Sequence, residues 1–369
     1  MKKSIIFYLL ILALAGTTAC SYFSVPEFQE KIASFTEDEF TQDNIYSDID
    51  SLRVRLEQEI EQGSTNFTVY LKDMEVSEVG DINEELDGIF GHASFYQQVG
   101  TVATQYKKVE FTVERTMNSY VVGAILNGED ISDQGESTKE LYQTIQGILS
   151  TCITEDMSDY EKELSIHDYL VTNCVYSKTM SASPESPIYR AYGALVNKDA
   201  VCNGYAEAMY ILLLCAGVEV EFVVGSTGDI DHAWNLVKLD GEWYHLDSTW
   251  DDPTPDLGDV AVHPFFNVTD EMIRETHTWK EENYPSANGT KYNYYLKSGL
   301  YFVDFDSFKA AAYEEMVTNG NTHYEFALEG IEFNTENMQF LFEGDSPYDS
   351  LECQTLLEGD YNAVYIKAE

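Results

Sequence analysis

Val201-Cys-Asn-Gly-Tyr-Ala-Glu207, Asp231-His-Ala-Trp-Asn235 and Trp243-Tyr-His-Leu-Asp-Ser-Thr-Trp250 are three blocks of a 369-residue chain that carry a thiol, an imidazole and a carboxylate. Cys202, His232 and Asp247 stand in an order that suits a sulfur nucleophile, its base and an orienting acid in acyl transfer. The first block opens a helix: Tyr205 to Ala216 is a strong run of helix formers, and Gly217 is a natural stop after the last turn. Cys202 therefore falls at or just before the first turn, where unpaired backbone N–H groups and the helix dipole favour thiolate over thiol. A cysteine taken alone is as readily a small buried hydrophobe. Cys152, Cys174 and Cys215 read that way, each inside or at the end of an apolar helical pattern.

The other two blocks form a hairpin. Val218 to Val224 alternates enough for a strand, and Ala233–Leu239 and Glu242–Thr249 flank Asp240-Gly241, a dipeptide suited to a two-residue turn. With that turn, Leu239 faces Glu242, Trp234 faces Asp247 and His232 faces Thr249, so His232 and Asp247 are diagonal neighbours on one face. The other face carries Ala233, Val237, Leu239, Tyr244, Leu246 and Trp250 and reads as core, which leaves the polar pair facing the helix of Cys202. His245 shares the Asp247 face and is the nearest rival base; Asp231 is a rival carboxylate that points the wrong way. A zinc site built from Cys202, His232, His245 or His263 lacks paired CxxC or HxxxH spacing, so neither metal nor cofactor is expected.

From about Tyr160 to Pro253, roughly a quarter of the chain, the sequence resembles the transglutaminase-like superfamily, in its bacterial branch with papain-like cysteine chemistry. The resemblance rests on Cys-Asn-Gly-Tyr-Ala, His-Ala-Trp-Asn and Trp-Tyr-His-Leu-Asp-Ser-Thr-Trp-Asp-Asp-Pro, in that order and closely spaced. It implies an α+β fold, a papain-like core whose cysteine-bearing helix packs on an antiparallel sheet. It also implies a catalytic triad that maps onto Cys202, His232 and Asp247. Such families include cross-linkers, peptidases, amidases acting on glycans or cell-wall peptides, and members without activity. The resemblance thus implies the machinery and leaves the substrate open.

Residues 1–20 read as a targeting segment: Lys2 and Lys3 precede an apolar run from Ile5 to Ala15, too short for a comfortable membrane span, and then Ala19-Cys20. A small residue before cysteine resembles a bacterial lipobox, so Cys20 is the expected lipidation site, although Thr17 stands where the pattern prefers Leu. Plain secretion after cleavage at Ala19 is the alternative. The net charge of −44, from 65 acidic and 21 basic residues, excludes a nucleic-acid partner, because phosphate binding needs positive potential. It reads as a solvated surface; calcium held by Asp251, Asp252 and Asp256 is a weaker alternative without EF-hand spacing.

The expected organisation is a tether over 21–44, an N-terminal α/β module over 45–136, the catalytic core over 137–290 and a C-terminal α/β module over 291–369. Capping boxes at Ser137-x-x-Glu140 and Ser158-x-x-Glu161 predict helices near 138–153 and 158–174, with His167 a packing residue of the second. The remaining cysteines show no disulfide framework. The two flanks resemble each other: Asp48-Ile-Asp-Ser-Leu-Arg53 and Asp304-Phe-Asp-Ser-Phe-Lys309 each begin a helix that is followed by a turn and a strand. The first reading is an exported, lipid-anchored thiol enzyme acting on amide bonds of protein or cell-wall peptide. The second is an inactive core kept as a surface binding or scaffold module.

Overall fold

A computed structural model of the chain describes residues 44–61, 66–74, 91–96, 101–102, 106–181, 183, 186–254, 257–333, 335–342, 347–359 and 361–369. Cys20 and the targeting segment lie outside the described residues. The chain divides into two compact units, one ending at Gly123 and the other running from Ala124 to Glu369.

The first unit contains β1 (Ile45–Tyr46), α1 (Ile49–Glu61), β2 (Asn66–Lys72), β3 (Gly91–Tyr96), β4 (Thr101–Val102) and β5 (Tyr106–Arg115), and the unit boundary falls in α2 (Met117–Asn127). Asp48 starts α1 by accepting the Ser51 amide at 2.8 Å, which satisfies a donor that the first turn cannot. Leu52 and Leu56 of α1 then bury against Val69, Leu71, Val109 and Phe111 of the sheet, whose order is β1-β2-β5-β3.

The second unit begins with α3 (Glu136–Cys152) and α4 (Asp159–Asn173). The Ser158–Glu161 capping box forms as the sequence predicts, with both reciprocal hydrogen bonds present. The Ser137 box does not: α3 starts two residues earlier than that box implies, with Gly135 as its cap and no side-chain cap bond. Glu140, the acid that would have closed that box, instead accepts a hydrogen bond from the Tyr192 hydroxyl.

After the short parallel pair β6 (Val175–Tyr176) and β7 (Asp199–Ala200) comes α5 (Cys202–Cys215), then the strands β8 (Glu219–Thr227), β9 (Ile230–Leu239), β10 (Glu242–Leu246) and β11 (Phe266–Val268). Past α6 (Asp270–Ile273), β12 (Thr278–Trp279) completes an antiparallel sheet of order β11-β10-β9-β8-β12. Asp240 and Gly241 both take positive φ, 52° and 87°, as a two-residue hairpin with right-handed strand twist demands. The register is the one read from the sequence, with Leu239 opposite Glu242 and Asn235 opposite Leu246.

The hairpin corrects two expectations. β10 ends at Leu246 and never pairs Thr249 with His232, because Asp247 Oδ1 captures the amides of Thr249 (2.9 Å) and Trp250 (3.3 Å) and turns the chain out of the sheet. The helix of Cys202 lies over the face opposite His232, where Asn235 Nδ2 reaches the Ala206 carbonyl at 3.2 Å. The His232 face, which Trp234 shares, is covered by the aromatic side chains of Phe265 and Trp250 instead, the latter expected on the other side. Both faces of β9 are therefore buried.

The second unit ends with α7 (Tyr294–Ser298), β13 (Tyr301–Phe302), α8 (Phe305–Ala312), β14 (His323–Glu329), β15 (Leu351–Leu357) and β16 (Tyr361–Ala368). The strand order is β13-β14-β16-β15, with the first pair parallel and the rest antiparallel, as in the first unit. Asp304 caps α8 through the Ser307 amide at 2.8 Å, the counterpart of Asp48 and Ser51. The flanks thus share a topology as well as a sequence pattern. What the pattern did not reveal is the short parallel strand before each helix, since two residues carry no period.

One buried acid tests the packing between α4 and β11. Glu163 is fully buried, held by Asn267 Nδ2 at 2.9 Å, and burial pushes its pKa up to about 8. The native state then binds a proton that the unfolded chain has released, so stability falls as pH rises from about 4.5 to about 8. Glu163→Gln keeps the shape and removes the titration. Urea unfolding is expected to show the variant gaining on the parent protein as pH rises through this window; a constant difference from pH 5 to 8 would contradict the assignment.

Candidate active site

The Cys-Asn-Gly-Tyr-Ala-Glu block is built to fix the start of α5. Asn203 Nδ2 donates to the Tyr189 carbonyl at 2.6 Å, and Glu207 accepts Arg190 Nη1 at 3.1 Å and the Ala191 amide at 2.9 Å. Gly204 sits where a Cβ would meet the Ile188 carbonyl oxygen at 2.8 Å and Ala200 Cβ at 2.9 Å, so only glycine lets the helix dock this closely. The Tyr205 hydroxyl is hydrogen-bonded to Asp252. These contacts tie the first turn of the helix to the loop before it and to the turn after β10, and leave the Cys202 side chain partly exposed.

His232 projects from the early part of β9 and is buried. Its Nε2 bonds Asp247 Oδ2 at 2.6 Å. The ring's other nitrogen remains for the Cys202 thiol, which also interacts with the imidazole. The structure thus brings Cys202, His232 and Asp247 together. Burial alone would lower the His232 pKa, but the Asp247 charge and hydrogen bond, helped by Cys202, raise it to about 10. Burial likewise opposes charge on Asp247, yet His232 and His277 hold its carboxyl well below the usual carboxylate range. The pair is an imidazolium and a carboxylate in a site walled by Trp234 and Trp250, with ring centroids 5.8 and 6.3 Å from that of His232.

The rival base is otherwise engaged. His245 Nδ1 accepts from Trp234 Nε1 at 2.9 Å and its Nε2 contacts Asp270 Oδ1 at 2.9 Å. Burial lowers its pKa despite Asp270, and both nitrogens are spent on holding the aromatic floor beneath His232. Asp231, the rival carboxylate, is exposed.

Sequence reasoning missed His277. It is fully buried, with Nε2 3.0 Å from Asp247 Oδ2 and Nδ1 2.7 Å from the Thr276 hydroxyl. The Asp247 carboxylate can only accept, so Nε2 is the donor in this bond. Asp247 therefore takes four hydrogen bonds, from two imidazoles and two backbone amides. His277 lies outside the three blocks, and a lone histidine thirty positions beyond Asp247 carried no signal. His167 also needs correction. It is buried as expected, but both its ring nitrogens meet carboxylates, Asp168 and Asp251, each at 3.0 Å. It belongs to a polar network and is no mere packing residue.

Beside the site lies an open cleft of about 680 Å³ between β6 and the loop before α5, lined by Val175, Tyr176, Met180 and Ile188 among others. Burial, and then the charges of Cys202 and Asp247, push the Tyr176 phenol up, so this lining ring lies within electrostatic reach of both.

The five described cysteines are free thiols, and they differ in environment. Burial pushes Cys174 and Cys215 up to about 12 and raises Cys152 and Cys353. In the folded protein iodoacetamide is therefore expected to modify Cys202 well before the other four, as followed by peptide mass mapping over time. Equal rates, or a Cys202 that reacts only in denaturant, would contradict this geometry.

Residues 146–248 match the family described as Transglutaminase-like superfamily, and this stretch is a domain of that superfamily. Over 167 residues the chain is 25% identical to the Kyphoscoliosis peptidase of Mus musculus, covering 42% of this chain and 25% of that protein. The Homo sapiens protein of the same name is 25% identical over 152 residues, covering 37% and 22%. The chain thus spans about a quarter of the length of these curated relatives. A solved structure described as a TGase overlaps 50% of this chain and 51% of its own at a TM-score of 0.25 and 12% identity.

Proposed function

We propose that the protein is a thiol enzyme that opens amide bonds of protein or cell-wall peptide through a thioester on Cys202. The observation that carries this reading is the meeting of a partly exposed thiol at a helix start, a buried imidazole and a fully hydrogen-bonded carboxylate. The Cys202 thiolate attacks the amide carbonyl. The His232 imidazolium then gives its proton to the departing amine as the C–N bond breaks. Asp247, steadied by His277, keeps the other His232 N–H in place and balances the ring's charge. The Cys202 backbone N–H, in the first turn of α5, is positioned by type to receive the developing oxyanion.

The thioester then passes to water, deprotonated by His232, and the acid leaves. Hydrolysis is favoured over transfer to an amine because the cleft beside the thiol is open, which gives water free access. The apolar side chains of Val175, Tyr176 and Met180, each exposed despite its size, suit an extended peptide with a hydrophobic residue next to the scissile bond. The relatives' name, a peptidase, agrees with a protein substrate. Export and anchoring through a lipid on Cys20 belong to the same proposal and rest on the sequence of residues 1–20. Among the described residues no helix is long and apolar enough to cross a membrane.

The test is to supply peptide amides, including cell-wall peptides, with a labelled primary amine, and to trap the acyl group on Cys202 for mass spectrometry. Free acid in excess of amine adduct is the expected result. Dominant adduct would make the protein a transferase. An unmodified Cys202 with every substrate would instead support a binding module. Partition of the cell-expressed protein with membranes, lost on Cys20→Ala, checks the anchor; mature protein free in the medium would overturn it.

A further inference from the structure

A second group of imidazoles lies away from the thiol, and its geometry goes beyond the proposed reaction. His167 of α4 and His263, which precedes β11, are both buried, while Asp168 is partly exposed. His167 Nδ1 and His263 Nε2 converge on one atom, Asp168 Oδ1, at 3.0 and 2.9 Å. The three atoms lie within 4.8 Å of one another. Each ring's remote nitrogen meets a further carboxylate: His167 Nε2 is 3.0 Å from Asp251 Oδ2, and His263 Nδ1 is 2.6 Å from Glu325 Oε1. Those two acids are themselves anchored. Asp251 Oδ1 accepts the Phe265 amide at 2.7 Å, and Glu325 Oε2 accepts the His263 amide and the Tyr295 hydroxyl, each at 3.1 Å.

We propose that His167, Asp168 and His263 bind one divalent transition-metal ion of the zinc class, with Asp251 and Glu325 orienting the two rings. Protons alone satisfy this arrangement only by charging both rings. All four ring nitrogens face carboxylate oxygens, so each ring would have to carry two protons. That places two buried cations side by side, with ring centroids 5.1 Å apart.

A metal at the point of convergence removes the conflict. Each ring becomes neutral in a single tautomer and donates its remote N–H to a carboxylate, which is how metal-binding histidines are held. One divalent ion also carries the charge of the two protons it replaces, so the balance with three carboxylates is kept. Two imidazoles and one carboxylate suit zinc or cobalt better than calcium or magnesium, which favour all-oxygen ligands. Tetrahedral bonds of about 2.0–2.2 Å put ligand atoms about 3.3–3.6 Å apart, so the two N···O separations of 3.0 and 2.9 Å would open by about half an ångström around the ion. The exposed side of Asp168 leaves a fourth position for water.

Such a site would clamp α4, the turn after β10 and the C-terminal sheet together. The Asp251 amide donates to the Asp247 carbonyl at 3.1 Å, so the clamp abuts the turn that carries the proposed triad. His232, Asp247 and His277 also converge and are the competing metal site. They offer a poorer one, because the far nitrogen of His277 is met by a hydroxyl and that of His232 faces the thiol, with no second carboxylate behind either ring.

The experiment titrates the chelator-treated full chain with zinc by calorimetry and follows its melting temperature. One zinc per chain and a higher melting temperature are expected. Affinity should fall at least about tenfold in Asp168→Asn and in Glu325→Gln, and hold in Cys202→Ala and His277→Gln. Cobalt supplies a readout that needs no variant: visible d–d absorption without a thiolate charge-transfer band in the near ultraviolet. No zinc uptake by the parent protein would overturn the site. So would a thiolate band, or affinity lost in Cys202→Ala and kept in Asp168→Asn, each of which moves the metal to the triad.

Discussion

Cys202→Ala is expected to lower the amide-hydrolysis rate by a factor on the order of 10⁴–10⁶ while leaving the melting temperature nearly unchanged. The two halves of that expectation come from different observations. In the proposed mechanism the thiol is the atom that forms the thioester, and Cys202 is the described cysteine whose side chain interacts with His232. Its removal costs the fold little because the first turn of α5 is held by other residues: Asn203 on Tyr189, Gly204 against Ile188, Tyr205 on Asp252, and Glu207 on Arg190 and Ala191. His232→Ala should lose a similar factor, and the double variant should be no slower than either single one, since the groups act as a unit. Initial rates on one peptide amide, measured with thermal melts, check all three. A Cys202→Ala protein with more than about a tenth of the parent rate, or losses that multiply in the double variant, would refute a Cys202 thioester.

The hairpin was legible because its information is local. Asp240-Gly241 is a turn with a steric reason, the side-chain period of a strand is two, and together they place His232 and Asp247 on one face before any tertiary contact is known. The capping box of α4 and the paired flank modules were legible for the same reason. What was not legible depends on packing between segments far apart. Both faces of β9 are buried, so polarity could not show which face the helix covers. His277 reaches Asp247 only because β12 pairs with β8 at the far edge of the sheet. His167, His263 and Glu325 are assembled from three separate elements. Local order failed too where a side chain outcompeted the ladder, as when Asp247 drew Thr249 and Trp250 out of β10.

Asp247 should answer differently to two substitutions. The carboxylate is fully buried and accepts four hydrogen bonds, from His232, His277 and the amides of Thr249 and Trp250. Asp247→Ala strands all four donors and leaves a buried imidazolium without its partner, which should cost about 3–5 kcal/mol of stability. Asp247→Asn keeps one oxygen for the two amides, so the turn survives. Its NH₂ group, however, stands where Oδ2 met the two rings, and His232 can face it only by giving up the proton on Nε2. The remaining proton then sits on Nδ1, toward Cys202, in the tautomer that cannot take one from the thiol. Activity should therefore fall by about 10³–10⁴ with a much smaller loss of stability.

The pH dependence separates these variants further. The depressed Asp247 pKa contributes stability above about pH 4 that is lost as pH falls, and the raised His232 pKa contributes stability that is lost as pH climbs through about 10. The parent protein should show both limbs in urea unfolding, and Asp247→Asn should flatten both. An Asn variant within about tenfold of the parent rate would leave Asp247 as a turn cap alone and return the choice of His232 as the base to question.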